Sequence, residues 1–178
     1  MNALILVGSL RGDSYNALLA RELVGLMPEG VSATIYDGLA ELPHYNEELD
    51  ADAVPAPVLA FRGAVEQSDA VIVVTPEYNG AVSSAIKNAI DWGSRPYGEA
   101  ALSGKPALVF SATGSPRGGE WARENAVRAL TVAGADVIPE TVGVPSAYEV
   151  FTDGKLTEES IKARVTAALE QLAVSVNA

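Results

Sequence analysis

The chain contains no cysteine and one histidine, His44. Disulfides, thiolate metal sites and a cysteine nucleophile are therefore excluded. A histidine-rich metal site is excluded as well, and any serine–histidine dyad must use His44. The missing cysteines fit a reducing compartment, so the cytoplasm is the expected location. No apolar run is long enough to span a bilayer. The opening Met1-Asn2-Ala3-Leu4-Ile5-Leu6-Val7-Gly8 has no basic stretch before its short apolar run. It reads as a first strand, not as a signal peptide. Positive charge is scarce: 12 Lys and Arg face 23 Asp and Glu, a net charge of −11. This balance disfavours nucleic acid and anionic membranes as partners. Part of the acidity lies in Glu47-Glu48-Leu49-Asp50-Ala51-Asp52, expected to be a solvated loop. Three fingerprints are also missing: G-x-G-x-x-G, the P-loop G-x-x-x-x-G-K, and the G-x-S-x-G elbow of serine hydrolases.

What remains is ordinary for a folded protein: 178 residues, 48% hydrophobic and 20% charged. One domain over 1–178 with a substantial core is expected. Five apolar runs stand out, at 3–7, 31–36, 70–75, 107–111 and 136–139. Most are nearly continuous and rich in Val, Ile and Leu, as strands buried on both faces of a parallel sheet are. Helical patterns lie between them and after the last, at 14–26, 57–67, 81–92, 119–133 and 157–174. Gly134 stands where a helix C-cap belongs. Strict alternation predicts an α/β fold with a doubly wound parallel sheet, strand order 2-1-3-4-5 and helices on both faces. A ligand then sits beyond the carboxyl ends of the strands, at the switch between strands 1 and 3.

The loop after strand 1 runs Gly8-Ser9-Leu10-Arg11-Gly12-Asp13-Ser14-Tyr15-Asn16. A helix N-terminus offers unpaired amides and a positive dipole end. Ser9, Ser14 and Asn16 add donors, and Arg11 adds a charged fork suited to phosphate oxygens. This combination suits a phosphate monoester; the plainer alternative is a turn in which Asp13 or Ser14 caps the helix. Asp37, after strand 2, mimics a ribose-binding acid, but the glycine fingerprint is absent. After strand 3 comes Thr75-Pro76-Glu77-Tyr78-Asn79-Gly80. Its amides can face the edge of a planar heterocycle, and Tyr78 can wall it. The alternative is a hairpin-like turn with a surface tyrosine.

Ser9-Leu10-Arg11 with Ser14-x-Asn16 resembles the phosphate loop of the NADPH-dependent FMN reductase family. Pro76-Glu77-Tyr78-Asn79, then Ile86-Lys87-Asn88-Ala89-Ile90-Asp91-Trp92, is similar to that family's second signature. The likeness covers nearly the whole chain, through strand 5, and is nearest to the bacterial quinone, chromate and azo-dye reductase branch. It implies a flavodoxin-like fold, noncovalent FMN, and NADPH or NADH as co-substrate. Ser9, Arg11, Ser14 and Asn16 would hold the FMN phosphate, with Leu10 and Tyr15 contributing mainly backbone. Pro76, Glu77, Tyr78, Asn79 and Gly80 would line the isoalloxazine ring. Ser111, Ala112, Thr113 and Gly114 would contact the ribityl chain or ring edge, and Gly114, Gly118 and Gly119 would allow close approach. Tyr78, Arg117 and Gly118 are the substrate-binding candidates. No side chain need be catalytic and no metal is called for, because flavin carries the chemistry. The acceptor would be a small molecule: a quinone, azo, nitro, chromate or flavin compound. The loop Leu42-Pro43-His44-Tyr45-Asn46 would approach a neighbouring subunit, and the helix ending at Asp91-Trp92 would help build a homodimer or homotetramer.

Two departures stand out. Ser83-Ser84 replaces a common Pro-Gly, and Gly118-Gly119-Glu120-Trp121-Ala122-Arg123 replaces Gly-Gly-Ala-Arg. Trp121 would wall the substrate pocket or pack between subunits. The main alternative is a flavodoxin-type electron carrier, whose acidic surface would suit a basic redox partner. Flavodoxins use a Thr-rich phosphate loop, however. A flavin-free regulatory domain is a further alternative, since fold does not dictate function.

Overall fold

The computed structural model describes residues 1–51 and 53–176. The principal strands are β1 (Asn2–Val7), β2 (Ser32–Tyr36), β3 (Ala70–Val74), β6 (Pro106–Ala112) and β7 (Asp136–Val137). They pair in parallel in the order β2-β1-β3-β6-β7. Parallel neighbours cannot be joined by a tight turn and need a crossover, and the alternation supplies a helix for each one. Along each strand, successive side chains feed opposite layers. Ala3, Ile5, Ile72 and Val74 pack against α1 (Tyr15–Gly25) and the last helix (Glu159–Val176). Leu4, Leu6, Val71 and Val73 pack against α2 (Ala56–Gln67), α3 (Ser84–Gly93) and α4 (Glu120–Val132). Two buried faces explain the continuous apolar runs, and the doubly wound flavodoxin-like α/β architecture is as expected.

Two elements differ from expectation. The fifth strand, placed at 136–139, is split. β7 pairs with the start of β6, and β8 (Val142–Val144) pairs with its end. Pro139 lies in the break and has no N–H to continue the ladder. The third helix, placed at 81–92, begins at Ser84. Ala81–Val82 instead forms β5, paired antiparallel with β4 (Glu77–Tyr78). Asn79 (φ 53°) and Gly80 (φ 73°) make the two-residue turn between them. Both central residues at positive φ is the type I′ hairpin geometry, and Asn-Gly is its strongest sequence signal. Gly134 (φ 90°) does close α4, next to the C-cap Ala133.

The acidic run after β2 is not wholly solvated. Asp50 ends a short 3-10 turn (Glu47–Asp50) and meets Arg62 in two bonds of 2.7 Å. Their side chains are 8% and 10% exposed. The Arg62 Nε also donates to the Trp92 carbonyl, at 3.0 Å. Asp52 lies outside the described residues. No helix among the described residues is long and apolar enough to cross a membrane.

Candidate functional site

Parallel pairing brings the carboxyl ends of β1, β3 and β6 to one edge, with Val7 beside Val74 and Val74 beside Phe110. The three loops singled out in the sequence leave the sheet there. The first loop is set deep between its neighbours. The Gly8 N–H donates to Val74 O at 2.8 Å. A Cβ at Gly8 would fall 2.7 Å from Ile86 Cγ1 and 3.1 Å from Pro76 Cδ. Only glycine lets this loop approach α3 so closely.

Ser14 is the N-cap of α1, its Oγ accepting from the Ala17 N–H at 3.1 Å. Capping and a ligand role are compatible, because an accepting hydroxyl keeps its proton to donate. The first-turn amides of Tyr15 and Asn16 have no intrahelical acceptor by the geometry of a helix start. Ser9 is buried, and its Oγ has no hydrogen-bond partner, the one such buried side-chain atom among the described residues. A buried hydroxyl without a partner calls for an explanation. A phosphate oxygen satisfies it, so these residues fit a phosphate ester. Arg11, Gly12, Asp13 and Leu10 are exposed around it.

The side chain of Asn16 is used otherwise. Its Nδ2 donates to Ala112 O at 2.9 Å, and its Oδ1 accepts from the Ala112 N–H at 3.0 Å. What Asn16 offers a phosphate is its backbone amide. Tyr15 places its ring 5.8 Å from that of Phe151, as packing.

The second loop is the β4–β5 hairpin. Pro76 is buried, Tyr78 is 52% exposed and Asn79 is exposed. Tyr78 is thus both a surface tyrosine on a hairpin and a free aromatic face at the sheet edge. The Glu77 carboxylate turns away from the edge and accepts from the Ala122 N–H, at 3.1 Å. Gly119, the N-cap of α4, has no side chain to cap with, and Glu77 supplies the acceptor from another loop. Ser83 makes sense of the first departure from the family pattern. It is the N-cap of α3, its Oγ accepting from Ile86 N–H at 3.4 Å.

The third loop, after β6, is organised by a residue that sequence reasoning passed over. The Arg123 guanidinium donates to Ser111 Oγ at 2.8 Å, to Thr141 Oγ1 at 3.2 Å and to Gly118 O. Ser111 Oγ donates to Gly118 O as well. Burial pushes the Arg123 pKa down, opposed by Glu120, Glu77 and Glu124. Ser111 is therefore held inside this brace. Ala112 gives both backbone groups to Asn16, and the Thr113 N–H and carbonyl bond to Val144 and Ala147. A Cβ at Gly118 would meet Gly143 C and Pro145 N at 3.2 Å, and one at Gly119 would meet Ser111 Oγ at 2.9 Å. Gly118 and Gly119 are thus required by the protein's own packing. Gly114 lies near Tyr148.

The second signature also has a structural basis. Asn88 Nδ2 and Trp92 Nε1 both donate to Pro43 O, at 2.9 and 2.8 Å, and the Tyr45 N–H donates to Asn88 Oδ1. One face of α3 thereby holds the loop after β2. His44 is exposed on that loop. Lys87 and Asp91 pair across one helical turn on the surface.

A doubly wound parallel sheet whose loops after β1, β3 and β6 meet at one edge is the flavodoxin-like architecture, which binds its ligands at that edge. Residues 1–149 match the model of the NADPH-dependent FMN reductases. A quinone reductase of Pseudomonas putida is 40% identical over 159 residues, 88% of this chain and 84% of that one. An NAD(P)H-dependent FMN reductase of Pseudomonas aeruginosa is 36% identical over 169 residues, 93% and 89% of the two chains. The flavoenzyme NAD(P)H:(acceptor) oxidoreductase FerB of Paracoccus denitrificans superposes with a TM-score of 0.86 at 32% identity, covering 99% of this chain and 97% of that one. The chain belongs to the NADPH-dependent FMN reductase family and is an FMN-dependent NAD(P)H oxidoreductase.

Proposed function

We propose that 1–178 acts as one domain which holds FMN at the shared loop edge and uses NADPH or NADH to reduce a quinone. The observation that carries the reading is the buried, unpartnered Ser9 hydroxyl beneath the N-terminus of α1. Ser9 and Ser14 hydroxyls, the Tyr15 and Asn16 amides and the Arg11 guanidinium would hold the phosphate. Pro76, Tyr78, Asn79 and Gly80 would line the ring, with Thr113 and Gly114 beside the ribityl chain. FMN, when bound, supplies hydride acceptance and electron delivery. The protein positions it: Glu77 and Asn125 tie the hairpin to α4, so Tyr78 is presented on a braced support. The quinone assignment follows the names of the relatives. No observation favours the electron carrier.

The partner we propose is a second copy of this chain. A groove of about 790 Å³ runs between α3 and α4, lined by Ile90, Ala129 and Val132 among others. Val132 is 83% and the adjoining Tyr97 95% exposed, apolar area that a dimer would cover. The cytoplasm is the proposed location, in keeping with a chain free of cysteine.

The test is the visible spectrum of the FMN-reconstituted protein without oxygen. A flavin band that NADPH bleaches and benzoquinone restores is the expected result. A band bleached by dithionite and untouched by NADPH would favour a carrier. Loss of all FMN on gel filtration would sink the cradle. Arg11→Ala should weaken FMN binding by about 1.5–3 kcal/mol, the range for a hydrogen bond to a charged group; unchanged affinity would remove Arg11 from the site.

A further inference from the structure

Arg117 and Trp121 stand outside the cradle, on the loop after β6 and in the first turn of α4. The Arg117 guanidinium lies over the Trp121 indole, 4.5 Å from its centroid. The same indole closes on the hairpin, for a Cβ at Gly80 would come 3.2 Å from Trp121 Cε3. Guanidinium, indole and hairpin tip thus form one stack bridging the loops after β3 and β6. Both bonds that tie the hairpin to α4, Ala122 N–H to Glu77 and Val82 N–H to Asn125, support it.

Charge makes the stack unusual. In a chain of net charge −11, an exposed arginine has many carboxylates to choose from. Among the described residues Arg117 makes no salt bridge. An aromatic face holds the plane of a guanidinium while leaving its N–H fork free. Such a fork is preorganised for a phosphate, which it can meet with two parallel bonds. Beside the indole opens a cleft of about 260 Å³, lined by Gly80, Trp121, Glu124, Asn125 and Arg128. Arg128 and Glu124 line that cleft, and Arg117 is joined to it through the indole that it covers.

We propose that this stack is the phosphate-docking subsite for the dinucleotide, with Arg117 as the contact and Trp121 as the residue that positions it. The proposal rests on the reading of the chain as an NAD(P)H-dependent reductase. A dinucleotide is an anion approaching an acidic protein, so a fixed local cation is needed to offset the general repulsion.

The FMN-loaded wild type, Arg117→Ala, Arg117→Lys and Trp121→Leu are titrated with NADP+ and with NAD+, following the flavin absorbance difference at equilibrium. KM is measured for NADPH, NADH and uncharged benzoquinone. Arg117→Ala should weaken nucleotide binding about tenfold or more, as for a lost charged hydrogen bond. Trp121→Leu should weaken it about twofold to fivefold, as for a lost exposed cation–π contact. Arg117→Lys should not restore wild-type affinity, because an ammonium has no planar fork. A loss confined to NADP+ identifies the 2′-phosphate as the group held. A loss for both nucleotides identifies the pyrophosphate, and either result supports the subsite. Unchanged affinity for both in Arg117→Ala overturns it. So does a rise in benzoquinone KM equal to that for the nucleotides, which would make the stack a wall of the acceptor pocket. If neither nucleotide reduces even the wild type, the reductase reading falls and the subsite with it.

Discussion

Asn16→Ala should destabilise the protein before any cofactor is bound. β3 ends at Val74, opposite Phe110 of β6. Past that point Pro76 has no N–H to offer, and the chain turns into the hairpin. Asn16 takes the place of the missing strand, with bonds of 2.9 and 3.0 Å to the carbonyl and N–H of Ala112. Asn16 is 3% and Ala112 2% exposed, so water does not replace it easily. Truncation leaves one donor and one acceptor buried, each costing about 1–3 kcal/mol. A total near 3 kcal/mol lowers Tm by about 6–12 °C in a chain of this size. Asn16→Asp should not rescue it, because a carboxylate accepts from the Ala112 N–H but opposes the Ala112 carbonyl. The assay is thermal unfolding of the apoprotein by circular dichroism, with FMN affinity measured on the same sample. An apoprotein Tm unchanged within a degree, with FMN affinity lost, would refute the reasoning and return the Asn16 side chain to the phosphate.

Ser9→Ala should separate the two states in the opposite way. Removing the unpartnered hydroxyl should raise apoprotein stability by about 1 kcal/mol, while FMN affinity falls by a similar amount; paired unfolding and FMN titration measure both. Gly8→Ala should cost about 1–3 kcal/mol by forcing a methyl against Ile86 and Pro76. Urea denaturation reads that loss, and an unchanged midpoint would show that α3 can retreat. Asp50→Ala should cost about 3–5 kcal/mol, since it strands the Arg62 guanidinium. A loss under 1 kcal/mol in the same assay would mean that solvent reaches Arg62.

Much of this was legible along the chain because the signals are local. Continuous Val, Ile and Leu runs marked strands with two covered faces, and Asp13 or Ser14 before an apolar helical stripe was the expected cap, of which the structure uses Ser14. The hairpin after β3 was also written locally, in Asn79-Gly80. The helical pattern was nevertheless extended back over it, since the Ala81-Val82 pair suits either period. The split of the last strand had a local sign too, in Pro139.

The pattern of apolar runs and turn residues determined by itself the sheet, its order and the edge at which the loops after strands 1, 3 and 4 meet, while the family was legible in two motifs, Ser9-Leu10-Arg11 with Ser14-x-Asn16 and Pro76-Glu77-Tyr78-Asn79. These depend on periodicity and on backbone chemistry at neighbouring positions. Only the tertiary structure decided which polar groups remain free at that edge. Asn16 and Ser111 carry donors that suit a ligand, yet Ala112 and the Arg123 brace use them. Ser9 differs from them only in having no partner within reach. Asn88 and Trp92 acquire their purpose from Pro43, 45 and 49 residues away along the chain. A hydrogen bond is made or missed within a few tenths of an ångström. That distance is set by the packing of segments far apart in sequence, which no local pattern records.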